Sequence, residues 1–195
     1  MATEIELKAH VNNPRELGIR LSQLASFAGT FEKDDIYYYT PQNTSGMTDS
    51  LNYGVRVRKQ TTTDRNGTVK ETTLVTYKSK KVRDGIEVND EREFEVSPGK
   101  AFEEFLGYLG CTEKIRKRKT GRTYDNNGMT VELTEVEGLG WFAELEILTV
   151  DKDNETIARE KERLLLFLDR LGISGTSIES RSYAEILNNR ETTNS

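Results

Sequence analysis

The chain has 195 residues, 31% of them charged, with a formal net charge of −5 and one cysteine, Cys111. This length suits one domain with a real core and room for an internal cavity. The lone cysteine excludes an internal disulfide or a cysteine-rich zinc cluster, and net acidity argues against nucleic acid as the main partner. Met1 to His10 alternates charged and apolar residues, with no apolar stretch suited to export or to crossing a membrane, so a cytoplasmic protein with no membrane partner is expected.

Taken in order, Thr3 to His10 alternates with period two, placing Ile5, Leu7 and Ala9 on one face and Glu4, Glu6 and Lys8 on the other. Asn13 followed by Pro14 and Glu16 marks a helix N-terminus, and the apolar spacing from Leu17 predicts a helix running up to Gly29. Strands are predicted at Phe31 to Tyr39, Tyr53 to Gln60, Thr72 to Lys80 and Asp90 to Val96, with turn signals at Asn66-Gly67 and Asp84-Gly85. Thr40 to Asn52 and Thr61 to Val69 read as loops, either surface connections or lids over a cavity mouth. Ser97 and Pro98 open a short helix, and strands follow near Ile115 to Tyr124, Met129 to Val136 and Trp141 to Val150. A helix from about Asn154 to Leu171 ends at Gly172, and a short helix near Tyr183 to Leu187 leads into a polar tail from about 189.

Strand after strand opposes charge to apolar residues, and the charges sort by strand: Glu4 with Glu6, Arg56 with Arg58, Lys78 with Lys80, Glu144 with Glu146. A solvated sheet face explains one such strand, but like charges along several strands need opposite charges or a ligand across from them. The expected fold is therefore α+β, a closed antiparallel eight-stranded β-barrel with helices packed outside, in a single domain over residues 1–195. Its charged lumen would suit a linear polyanion, with carboxylates for Mg²⁺ or Mn²⁺ and Arg and Lys for phosphoryl oxygens.

Other signals are weaker. The basic run Lys114 to Lys119 lacks interleaved aromatics and reads as part of a strand. Gly138-Leu139-Gly140 lacks the Lys and Ser or Thr of a phosphate loop, and His10, the only histidine, has no nucleophile and orienter assembled around it. Trp141 reads as a packing residue.

The segment Glu4-Ile5-Glu6-Leu7-Lys8 resembles the ExExK signature of the CYTH or triphosphate tunnel metalloenzyme family. The likeness continues in order through Arg56-x-Arg58, Thr76-Tyr77-Lys78, Arg92-Glu93-x-Glu95, the basic strand ending at Tyr124, and Val136 to Glu146. Glu32 to Tyr37 and Arg181-Ser182-Tyr183 look most like the class IV adenylyl cyclase branch. The resemblance implies an enzyme that converts ATP to cyclic AMP and pyrophosphate, or alternatively an inorganic or thiamine triphosphatase; a non-catalytic polyphosphate binder is a third reading. Its partner would be a nucleoside triphosphate or another triphosphate, with the oligomeric state open, a homodimer included.

Carried over by position, the resemblance makes Glu4, Glu6 and Lys8 catalytic. It assigns Glu4, Glu6, Glu144, Glu146 and Glu93 to metal, with Glu95 a further lumen carboxylate. Lys8, Arg56, Arg58, Lys78, Lys117, Lys119 and Arg122 would hold the triphosphate. Two departures stand out: Lys119 is followed by Gly121 and Arg122 rather than by a second inward cation two residues on, and Thr134 stands where the pattern has Asp. The first leaves two registers for the basic strand, with Lys117 and Lys119 inward favoured over Arg116 and Arg118. Glu132, on the same face as Thr134, could supply the missing charge, whereas Glu135 faces the other way.

Overall fold

The computed structural model describes residues 3–39, 55–83, 86–151 and 153–193; the side chains of residues 78–83, 87–91 and 190–193 lie outside the description. Among the described residues, eight strands form one curled antiparallel sheet: β1 (Thr3–His10), β2 (Ser26–Tyr39), β3 (Val55–Asp64), β4 (Val69–Arg83), β5 (Ile86–Glu95), β6 (Thr112–Asn126), β7 (Met129–Val136) and β8 (Gly140–Thr149). Four helices accompany it: α1 (Pro14–Leu24), α2 (Gly99–Tyr108), α3 (Asn154–Arg170) and α4 (Tyr183–Thr193).

The strand order is β1-β5-β4-β3-β2-β6-β7-β8, and β8 pairs back onto β1, so the connectivity forms a closed cycle. The seam is uneven. β1 pairs with β8 from Thr3 to His10, but with β5 only from Glu4 to Glu6.

Apolar residues of the sheet's outer face meet the helices. Ile5, Leu7, Val131, Leu133 and Leu145 pack with Leu17 and Leu21 of α1 and Leu164, Phe167 and Leu168 of α3. A second cluster seats Leu106 of α2 on Ile36, Tyr38, Val57 and Val75. Each large apolar side chain so buried contributes about 1.5–3 kcal/mol, which fixes the charged residues of the same strands inward. The first helix is capped as the sequence suggests, Asn13 accepting from the Glu16 N–H at 3.2 Å, and at α3 Asp153 accepts from the Thr156 N–H at 2.8 Å. Among the described residues no helix is long and apolar enough to cross a membrane.

Several boundaries differ from expectation. α1 stops at Leu24, and Ala25 is already extended, with φ −144° and ψ 158°. Ser26 to Gly29 belong to β2, and a Cβ at Gly29 would collide with the Thr63 carbonyl oxygen of β3, so this glycine permits close strand approach rather than ending a helix. The expected loop at Thr61 to Val69 is mostly strand: β3 runs to Asp64, β4 starts at Val69, and the Asp64 carboxylate accepts from the Asn66 and Thr68 N–H groups at 2.8 Å across the turn. The tail expected from about 189 is helical through Thr193. Thr40 to Asn52 lies outside the described residues.

Candidate functional site

Period-two geometry turns Glu4, Glu6 and Lys8 of β1 away from the outer core, together with Glu144 and Glu146 of β8 and Thr130, Glu132 and Thr134 of β7. Lys8 stands in register opposite Glu144, Glu6 opposite Glu146, and Glu132 opposite Glu144. β6 adds Lys117 and Lys119, whose side chains are only 5% and 4% exposed, while Arg116 and Arg118 are exposed and pair with Glu113 and Glu32. The basic strand thus takes the Lys117 and Lys119 register.

Within the lumen the charges are bonded in sets. Lys119 Nζ donates to both Glu144 oxygens at 2.9 and 2.8 Å and reaches Glu132 at 3.4 Å. Lys33, opposite Lys119 in register, donates to Glu132 at 2.6 Å, so Glu132 bridges two ammoniums that would otherwise repel. Asp35 accepts from Arg58 Nε and Nη2 at 2.7 and 3.0 Å and from Lys117 Nζ at 2.8 Å. Arg56 donates to Thr76 at 2.9 Å and to Glu93 at 3.4 Å.

The electrostatics follow from these contacts. Burial alone would raise the Glu144 carboxyl, but the Lys119 ammonium outweighs it and holds the group well below the usual carboxylate range. Asp35 is likewise held down, Arg58 and Lys117 overcoming its burial. Lys33 moves the other way: burial, then the charge of Lys119, lowers it to about 8 despite Glu132.

A pH dependence follows. Below pH about 8 Lys33 is charged in the folded and unfolded chain alike; between there and 10.5 only the unfolded chain keeps the proton, so this residue's contribution to stability rises with pH across that window. Binding of a polyanion beside Lys33 would run oppositely, weakening as pH passes about 8 with the loss of that cation. Tripolyphosphate affinity measured from pH about 7 to about 10 should show this fall, and Lys33→Met should remove it. An identical slope in the variant would assign the titration elsewhere.

Helix α4 packs on inner-face residues of β7 and β8. Tyr183, Ile186, Phe142 and Val136 form an apolar cluster there, and α4 opens on reciprocal bonds between Ser182 and Glu185. The ammoniums of Lys8, Lys117 and Lys119 lie 5.6, 5.2 and 5.9 Å from the Tyr183 ring centroid. Burial, then the nearby Glu144 and Glu6, raise the Tyr183 phenol well above its ordinary value.

Three of the expected site residues lie apart from this group. Arg122 is exposed on the outer face, where its Nη1 would stand 3.7 Å from a Cβ at Gly18 of α1; the lumen position is held instead by Gly121, with the Phe31 ring over it. Any side chain at Gly121 would strike the Leu133 carbonyl oxygen and Phe31. Glu93 is bound by Arg56 and Thr76, and it lies four residues along β5 from Asn89, the partner of Glu4. At the usual strand rise that is roughly 13 Å, so Glu93 is not part of the β1 carboxylate group. Glu95 is exposed and pairs with Lys70 at 3.9 Å. For Lys78 only the backbone is described, paired with Glu91. Lys33, Asp35 and Tyr37 are lumen residues that the charge sorting did not single out; their signal was the alternation Phe31, Lys33, Asp35, Tyr37, which mixes signs.

Among the described residues no group of three or more His, Cys, Asp or Glu stands close enough to hold a metal unaided. The donors still suit a hard divalent cation, because Glu6 faces Glu146 directly and Glu4 shares their side of the sheet. Mg²⁺ usually takes one or two carboxylates together with substrate phosphates and water, which is a site these residues can complete with a ligand but not alone.

Residues 2–183 match the CYTH domain model, and the chain belongs to that family. A Methanocaldococcus jannaschii protein provisionally named an adenylate cyclase is 25% identical over 186 residues, covering 94% of this chain and 97% of its own. Among solved structures, a Pyrococcus horikoshii protein is 29% identical with a TM-score of 0.78, covering 96% of this chain and 99% of its own. A Hippeastrum protein, named provisionally as an adenylyl cyclase and described as having a dominant triphosphatase activity, is 19% identical with a TM-score of 0.63, covering 98% and 96%; at that distance it speaks for the fold alone.

Proposed function

We propose that the lumen binds the triphosphate of a nucleotide with a divalent cation and that the chain acts on it as an adenylyl cyclase does, converting ATP to cyclic AMP and pyrophosphate. The observation that carries this reading is the convergence of Lys8, Arg58, Lys117 and Lys119 on one buried, carboxylate-lined space, with every ammonium or guanidinium held by a carboxylate or an aromatic face. Such groups are preorganised for a polyanion, and each charge-assisted contact is worth roughly 1.5–3 kcal/mol. The M. jannaschii relative's name supports the cyclase form of the reading.

In this reading Glu4, Glu6 and Glu146 would hold the cation together with the ligand's phosphates, and its chemistry would be that of a Lewis acid that neutralises phosphate charge. Lys8, Arg56, Arg58, Lys117 and Lys119 grip the phosphate chain, and the apolar cluster at α4 keeps water from the faces it covers. Glu144 enters through Lys119, which it positions, more than through the metal.

A second reading, hydrolysis of the terminal phosphate, is favoured by Thr134. Its hydroxyl is fully buried with no hydrogen-bond partner among the described residues, and it sits in register between Gly121 and Phe142. Glu132, the carboxylate next along that face, is held by Lys33 and Lys119 and so does not replace the missing charge. If an acid there orients a ribose hydroxyl, cyclisation suffers more than attack by water.

ATP labelled at the α-phosphate separates the two. Labelled cyclic AMP supports the cyclase, whereas labelled ADP with unlabelled orthophosphate supports the hydrolase, and no product with either Mg²⁺ or Mn²⁺ would count against both. Glu6→Gln is expected to lower turnover by about hundredfold or more with an unchanged thermal midpoint. Full activity in that variant would remove β1 from the metal site.

A further inference from the structure

Asp35 is placed where a ligand anion would be expected. It stands in register between Arg58 on one side and Lys117 on the other, its side chain has no solvent exposure, and its two oxygens accept from three N–H donors at 2.7, 3.0 and 2.8 Å. Two parallel bonds from a guanidinium fork plus an ammonium is the arrangement by which proteins hold a phosphoryl group. In this chain a side chain already fills it.

We propose that Asp35 is a specificity-determining residue, a built-in anion that occupies the Arg58 fork so that an anion with a single anchoring point does not bind, while a linear triphosphate does. The inference rests on the triphosphate reading above. A lone orthophosphate entering the lumen must compete with a carboxylate that is already bonded and desolvated, and meets its negative charge. A triphosphate gains further contacts with Lys8, Lys119 and Arg56, and these offset the competition. Orthophosphate and short anions, which are abundant and are also products of triphosphate cleavage, are thereby kept from saturating the lumen.

The test is a calorimetric titration of wild type, Asp35→Asn and Asp35→Ser, using inorganic orthophosphate and tripolyphosphate as separate probes. Both variants free the Arg58 fork and keep Lys117 and every other lumen cation, and the second substitution covers the case in which the first fails to fold. Orthophosphate should bind roughly tenfold tighter or more in either folded variant, with a smaller change for tripolyphosphate, so that the ratio of the two affinities falls. Orthophosphate binding no tighter than in wild type, or equal gains for both probes, overturns the proposal. Failure of wild type to bind tripolyphosphate would defeat the triphosphate reading instead, and the orthophosphate comparison would still decide the role of Asp35.

Discussion

Replacing Lys119 by methionine is expected to cost about 3–5 kcal/mol of stability, the usual result of removing one partner from a buried ion pair. Lys119 is 4% exposed and gives two of its bonds to Glu144 and a third to Glu132. Without it Glu144 loses the ammonium bonded to both its oxygens and is left buried between Lys8 on one side and the like charge of Glu132 on the other. Glu132 itself keeps Lys33. Denaturant unfolding measures the cost. Lys119→Met combined with Glu144→Gln should recover most of it, because both charges of the pair leave together, yet triphosphate binding should stay impaired since the cation is still absent. A double variant no more stable than the single one would mean that Lys119 contributes packing rather than charge.

Arg58→Ala is expected to have the second largest effect, and to act on both stability and ligand. Its guanidinium satisfies Asp35 with two bonds, so truncation leaves that carboxylate with Lys117 alone and should cost about 2–3 kcal/mol. Loss of one phosphate contact should weaken tripolyphosphate roughly tenfold or more. Arg58→Lys separates the two consequences: it keeps a charge but loses the fork, so binding should fall less than stability-corrected Arg58→Ala. Unchanged affinity in both variants would place the ligand elsewhere in the molecule.

The alternating strands were readable because side-chain periodicity is local. Ile5 and Leu7 against Glu4 and Glu6, or Leu145 and Ile147 against Glu144 and Glu146, assign both faces without knowledge of any partner strand. The inward turn of Lys117 and Lys119 was one of two open registers, and Ile115 of the same face and Tyr124 of the other locate it in the structure. What sequence did not reveal is set by contacts between strands. Gly29 resembles a helix terminator, but its role comes from the Thr63 backbone of β3. Arg122 looks like a lumen cation by its spacing to Tyr124, yet both lie on the outer face, and Gly121 holds the inward position because Phe31 crosses above it.

The ion pairs show the same division. That Arg58 and Lys117 face inward follows from alternation, but that Asp35 joins them depends on the registers β2–β3 and β2–β6, which no local pattern states. Charge sorting drew attention to strands of one sign and passed over β2, whose lumen face carries Lys33 and Asp35 together. Glu93, close to Thr76 and Arg56, was separated from the other carboxylates for a like reason, since its distance from Glu4 is set by the offset of β5 against β1.

The most direct test of the lumen as a triphosphate site is a calorimetric titration of the wild-type protein with tripolyphosphate, with Mg²⁺ and then with excess chelator, repeated for Lys119→Met with Glu144→Gln. The account predicts saturable one-to-one binding that is strongest with Mg²⁺ and weakened roughly tenfold or more in the double variant. No binding in wild type, or equal binding in both proteins, would contradict it.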